Sequence, residues 1–205
     1  MAGPVRIAVL VSGNGSNFQA IVDAVASGRI TNAEIVCLIS NRPDAYALQR
    51  AAKHGIPTTV LVHRDYPDRA SYDQALVDIL KEQAIDLVVL AGFMRILSPV
   101  MIDSFPNAIM NIHPALLPSF PGLDAQQQAL TYGVRYTGCT VHFVDSGTDT
   151  GPIILQAVVP VLADDTVAAL SQRIHGEEHR IYVEAVGLYC QKRLHMDGRT
   201  VRIDP

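Results

Sequence analysis

The chain has 205 residues, of which 49% are apolar, and a formal net charge of -4. This length and composition suit one domain with a well-buried core, and the absence of any dense Lys/Arg run argues against nucleic acid or an anionic membrane as the main partner. No apolar stretch reaches the roughly 18 residues of a membrane span.

The opening "MAGPVRIAVLV" is apolar at once and has no basic n-region or small-residue cleavage site, so no signal peptide is expected. "VRIAVLV" (5–11) predicts the first strand, followed by a helix from Asn17 to about Gly28. "AEIVCLIS" (33–40) predicts a second strand, and "DAYALQRAAKHG" a helix stopped by Gly55. "PTTVLV" reads as a strand and "DRASYDQALVDILKEQ" as a helix with apolar spacing of three and four, with "IDLVVLAG" and "NAIMNIH" as two more strands. Near-continuously apolar strands alternating with helices predict a doubly wound, mostly parallel α/β sheet with right-handed crossovers. Beyond residue 113, "TGCTVHFVD" and "GPIILQAVVPV" lie close enough to form an antiparallel or mixed part. A long helix follows from about Thr166 to Arg193, with Asp164 or Asp165 as its cap. Asp197-Gly198 then sits between two short runs, a hairpin signal. No repeat or linker interrupts the chain, so residues 1–205 are expected to form a single domain. Cys37, Cys139 and Cys190 are odd in number and far apart, as expected of reduced, mostly buried thiols in a cytoplasmic protein.

Four stretches carry chemistry. "SGNGSN" (12–17) joins the first strand to the first helix, and helix N-terminal amides attract anions. Gly13 and Gly15 are expected to let the main chain approach a ligand, with Ser12, Ser16 and Asn17 adding donors. The dinucleotide fingerprint would need a third glycine where Phe18 stands and an acidic residue near Ser40 and Asn41, and the P-loop lysine is missing. A small phosphorylated metabolite is the expected ligand; the alternative is a tight turn that binds nothing. "GFMRIL" (92–97) and the pair Asn111, His113 also fall at the carboxyl ends of strands, where α/β sheets bind ligands. His113 has no close His or Cys partner at zinc spacing, and no Gly-x-Ser-x-Gly elbow is present, so no metal is expected and no enzyme nucleophile. "VDSGTDTGPII" offers Asp145 and Asp149. A carboxylate beside a histidine favours the imidazolium, which with an amide can face a developing oxyanion. The bland alternative is a capping Asn and a solvated His before a Pro-rich loop.

Together "VLVSGNGSN", "LAGFMRILSP", "NIHPALLPSFPG" and "GCTVHFVDSGTDTGPIILQ" resemble the phosphoribosylglycinamide formyltransferases of the folate-dependent formyltransferase family, in order from about Ile7 to Pro160 and on into the long helix. The resemblance implies a Rossmann-like formyltransferase fold. It also implies transfer of a formyl group from 10-formyltetrahydrofolate, as co-substrate, to the amine of glycinamide ribonucleotide in purine biosynthesis. The family's catalytic trio then falls on Asn111, His113 and Asp149. Ribonucleotide contacts fall on Gly15, Ser16 and Asn17, and on His175 and Glu178 of the long helix. Folate contacts fall on Arg69, on Met94, Arg95, Ile96 and Leu97, on Asn111, and on Asp145, Ser146, Gly147, Thr148 and Asp149. The small-molecule substrates would be the only partners, with the protein a monomer or homodimer. Glu178 interrupts the apolar stripe of Leu170, Ile174, Ile181, Ala185 and Leu188, and reads either as a substrate contact or as a boundary residue reaching solvent. His142 reads as a packed or supporting histidine facing the same side as Thr140. The chain departs from the family at "LDAQQQAL", where Asp124 and Gln126 replace histidines. Formyltetrahydrofolate deformylase and methionyl-tRNA formyltransferase share the trio. Each is characterised by a further domain not expected here, and a phosphate-binding loop favours an acceptor that carries a phosphate. A silent folate- or nucleotide-binding module is the reading from another class, and the intact trio opposes it.

Overall fold

The computed structural model describes residues 3–205. They form two compact units that divide between Met110 and Asn111. Among the described residues no helix is long and apolar enough to cross a membrane.

The first unit alternates strand and helix: β1 (Val5–Val11), α1 (Ser16–Ala26), β2 (Ala33–Ser40), α2 (Tyr46–Lys53), β3 (Thr58–Val60), a single 3-10 turn (His63–Asp65), α3 (Arg69–Glu82), β4 (Leu87–Leu90) and α4 (Pro99–Ser104). Its strands lie in the order β3-β2-β1-β4, all parallel. The run Ile7–Val11 is wholly inaccessible, as are Leu38, Ile39 and Leu87–Val89, which is why these strands read as unbroken apolar runs rather than as alternation. Phe18 and Ile21 of α1 and Tyr72, Leu76 and Leu80 of α3 are likewise fully buried, at helical spacing. The unit ends in β5 (Ile109–His113), which the division cuts.

The second unit contains α5 (Ala125–Tyr132), β6 (Tyr136–Phe143), β7 (Ile153–Pro160), α6 (Val167–Cys190), β8 (Leu194–Asp197) and β9 (Thr200–Ile203). β6 and β7 pair antiparallel, β9 lies parallel to β7, and β8 closes the tail as a hairpin on β9. α6 packs on β6 and β7 and on α5. Every member of its apolar stripe is buried, from Leu170 to Leu188. The fold class is thus the expected one: a mostly parallel α/β arrangement with an antiparallel part, a long late helix and a terminal hairpin.

Two details differ from the sequence-based expectation. The cap of α6 is Thr166, whose side chain accepts from the Ala169 amide, rather than Asp164 or Asp165. Asp165 instead takes both guanidinium nitrogens of Arg173 at 2.8 Å and the Leu162 amide. The helices α4 and α5 were not anticipated. The first is only six residues long, started by Pro99, and the second buries only Ala125 and Ala129. The cysteines are free and buried as expected. Burial pushes the Cys37 thiol up to about 11 and the Cys139 thiol up to about 12, so neither supplies a thiolate near neutral pH.

Candidate active site

Strand alternation in β5 puts Asn111 and His113 on one face and sends Ile112 to the other, where it is buried. His113 is itself 4% exposed. Its Nε2 lies 2.7 Å from the Phe120 carbonyl oxygen, which can only accept, so this nitrogen carries a proton. Its Nδ1 faces Asp149 Oδ2 at 3.3 Å. Both ring nitrogens thus face acceptor oxygens.

Asp149 reaches this position from the loop between β6 and β7. It adopts a left-handed φ of 55°, which aspartate tolerates better than most residues. Its Oδ2 also accepts from the Gly122 amide at 2.8 Å. Two residues on, a Cβ at Gly151 would stand 1.8 Å from the Phe143 carbonyl oxygen, so only glycine lets the loop return this close to the end of β6. Asp145 braces the other limb, accepting from the Thr150 hydroxyl at 2.6 Å and the Gly147 amide at 3.1 Å. Ser146, Gly147 and Thr148 are left exposed at the tip. The second unit therefore brings Asn111, His113 and Asp149 together.

His142 joins them. It is 2% exposed on β6, on the same face as buried Thr140. Its Nδ1 donates to the Phe143 carbonyl at 2.8 Å, so in the neutral ring Nε2 offers its lone pair to the Asn111 amide nitrogen at 3.3 Å. One amide hydrogen of Asn111 is thereby engaged and the carboxamide is oriented. The reading of His142 as a supporting residue stands, with Asn111 the group it supports. Burial pushes the His142 imidazole below its ordinary value of 6.5, outweighing the Phe143 carbonyl and the Asp149 charge. Between 6.5 and the lower folded value the unfolded chain binds more protons, so this group's contribution to stability falls as pH falls through that window. Urea unfolding from pH 7.5 down to about 5.5 should therefore show a smaller acid loss for His142→Gln than for wild type. Equal losses would remove His142 as the source.

In the first unit, "SGNGSN" closes the turn between β1 and α1. Gly15 caps α1 at φ 74° with no side-chain cap on the helix, and no acidic residue stands in its first turn. A Cβ at Gly15 would meet Ala47 Cβ at 2.6 Å, so the tight turn depends on this glycine. A Cβ at Gly13 would meet no protein atom within 4 Å. Arg50 of α2 steadies the loop, donating to the Asn14 carbonyl at 2.9 Å and the Asn14 side-chain oxygen at 3.0 Å. Ser12 links the loop to the second expected segment, its Oγ accepting from the Met94 amide at 2.8 Å. Along that segment Met94 and Ile96 stand 67% and 57% exposed while Leu97 is buried. Arg95 lays its guanidinium over the Tyr72 ring, 4.6 Å from the centroid. Arg69 is exposed at the first position of α3.

On α6, Glu178 is 4% exposed, so it does not reach solvent. His175 is exposed and its ring lies parallel to that of His179. In the departing segment Asp124 is exposed at the start of α5 with a φ of 55°, and Gln128 ties α5 to the carbonyls of Pro121 and Leu123. Among the described residues no group of three or more His, Cys, Asp or Glu is arranged to hold a metal ion. The Phe120 carbonyl on His113 had no signal in the sequence, because it is a main-chain atom placed by a loop.

The chain is 49% identical over 184 residues to the trifunctional purine biosynthetic protein adenosine-3 of Drosophila melanogaster, covering 89% of this chain but only 14% of that much longer protein. It is 42% identical over 199 residues to phosphoribosylglycinamide formyltransferase of Escherichia coli (strain K12), covering 97% of this chain and 93% of that one. The crystal structure of glycinamide ribonucleotide transformylase 1 from Symbiobacterium toebii superposes with a TM-score of 0.97 at 51% identity, covering 100% of this chain and 96% of that chain. Residues 5–186 match the model of the formyl transferase family, and the chain belongs to that family.

Proposed function

We propose that this protein transfers the formyl group of 10-formyltetrahydrofolate to the amine of glycinamide ribonucleotide, giving formylglycinamide ribonucleotide and tetrahydrofolate, a step of purine biosynthesis. The observation that carries the reading is the setting of His113, with Asp149 at one ring nitrogen, the Phe120 carbonyl at the other and an oriented Asn111 amide beside it. This equipment suits acyl transfer to a nucleophile that the substrate brings. The names of the relatives at 42% and 51% identity over nearly the whole chain support the same acceptor.

The ribonucleotide amine attacks the formyl carbon, a carbon–nitrogen bond forms, and the carbonyl oxygen gains negative charge. That oxygen replaces the Phe120 carbonyl as acceptor from His113 Nε2–H and takes the second amide hydrogen of Asn111. Asp149 stabilises the positive charge on the His113 ring and relays, through water, the proton lost by the attacking amine to the departing folate nitrogen as its bond to the formyl carbon breaks. Gly15, Ser16 and Asn17 hold the ribonucleotide phosphate at the amides that open α1, and His175 and Glu178 contact its ribose and amine. Arg69, the stretch Met94–Leu97 and the loop Asp145–Asp149 hold the folate. The two units act as one formyltransferase domain, a reading supported by the single family model that runs through both. The protein acts in the cytoplasm as a monomer or homodimer, without metal.

A formyl-transfer assay with and without the ribonucleotide tests this. Formylated ribonucleotide formed only when both substrates are present is the expected result. Folate hydrolysis without the ribonucleotide would identify a deformylase, and no turnover a binding module.

A further inference from the structure

We infer that Asp73, with Tyr72 beside it on α3, is a positioning residue for the segment 93–98, an inference that rests on the folate-binding reading of that segment. Asp73 is 1% exposed in the second turn of α3. Its Oδ2 accepts from the Ser98 amide at 2.5 Å, which pins the far end of the segment where α4 starts. Ser12 pins the near end through the Met94 amide. Between the two pins Arg95 rests on Tyr72, the residue preceding Asp73. The segment is thus held at three points, and its side chains sort by them. Phe93 and Leu97 are buried, at 8% and 6% exposure, while Met94 and Ile96 are turned outward. Two large apolar side chains turned outward from one pinned segment give the folate of the proposed reaction an apolar surface to rest on.

The anchor is poorly explained by stability. Among the described residues, Asp73 Oδ1, Ser98 Oγ, Tyr72 OH and Arg95 Nε are all buried without a hydrogen-bond partner in the protein. Buried polar groups are normally paired, so four without a protein partner around one segment add no protein–protein hydrogen bond to the fold. A carboxylate retained in such a setting contributes geometry: a strong, directional acceptor for one amide.

The test uses amide exchange and steady-state kinetics on the full chain. In wild type the Ser98 amide should be the slowest to exchange between 92 and 98; free exchange there overturns the anchor without any variant. Asp73→Leu, with the same branching but larger and without an acceptor, should raise the KM for 10-formyltetrahydrofolate about tenfold or more while kcat and the ribonucleotide KM stay within about threefold. Asp73→Asn keeps a carbonyl acceptor and should restore both the folate KM and the Ser98 protection. An unchanged folate KM in Asp73→Leu overturns the inference, as does a parallel rise in both KM values, which would mark a general structural defect. If Asp73→Leu does not fold, Asp73→Asn decides: a raised folate KM with Ser98 still protected overturns the inference, and protection and KM both near wild type support it. A wild type that transfers no formyl group ends the functional reading instead, and the exchange data show separately whether the anchor exists.

Discussion

Replacing His113 with alanine should leave a folded protein whose kcat for formyl transfer is lower by about 10²–10³-fold or more, the range for loss of one preorganised oxyanion donor. The side chain stands at the last position of β5 and its loss removes no ladder hydrogen bond. It does remove the partner of the Phe120 carbonyl and of Asp149 Oδ2. Asp149 keeps the Gly122 amide, so its carboxylate is not stranded. A stability loss of about 1–3 kcal/mol follows from a buried acceptor left unmade, which a domain of this size survives. The measurement is kcat and both KM values beside a urea unfolding curve. A folded variant with kcat within about threefold of wild type would end the catalytic assignment.

Asp149→Asn should separate stability from function. Asparagine matches the size of aspartate and tolerates the left-handed backbone at this position. Its carbonyl oxygen can take over the Gly122 amide and face His113. Its NH2 group then points at His142 Nε2, where the wild-type carboxylate oxygen Oδ1 stands 3.7 Å from the lone pair of a neutral ring. The charge facing that lone pair is removed while the lone pair stays with the Asn111 amide, so the variant should unfold at the same urea concentration as wild type or a higher one. Its kcat should nonetheless fall by about 10²–10⁴-fold, because the negative charge that supports the His113 cation and moves the proton is gone. A variant that is stable and fully active would show that Asp149 serves only to shape the loop. One that is both slow and unfolded would show that its charge holds the structure.

Local patterns carried most of the fold. β1, β2 and β4 were legible because strands covered on both faces need unbroken apolar runs, and α3 and α6 because a buried helical face repeats every three to four residues. Asp197-Gly198 announced the hairpin of β8 and β9 because Gly198 supplies a left-handed turn residue. The same logic explains the misses. α4 and α5 are too short to show a period, and α5 offers only two alanines to its core face. The α6 cap could not be chosen among Asp164, Asp165 and Thr166 by type alone. It was decided by Arg173, which claims Asp165 from the second turn of the helix.

Residue type and strand parity were enough to put Asn111 and His113 on one face at the end of β5, and the glycine pattern of 12–17 was enough to mark a strand-to-helix turn. Neither could say what His113 faces. That was decided by a loop whose return depends on Gly151 fitting against the Phe143 carbonyl, by the left-handed turn at Asp149, and by a main-chain oxygen of Phe120 that no side chain advertises. The division has a physical cause. Periodicity and turn chemistry act between near neighbours in the chain and are written in residue types. The distance between two groups far apart in the chain depends on loop closure and close packing, which only the folded structure resolves.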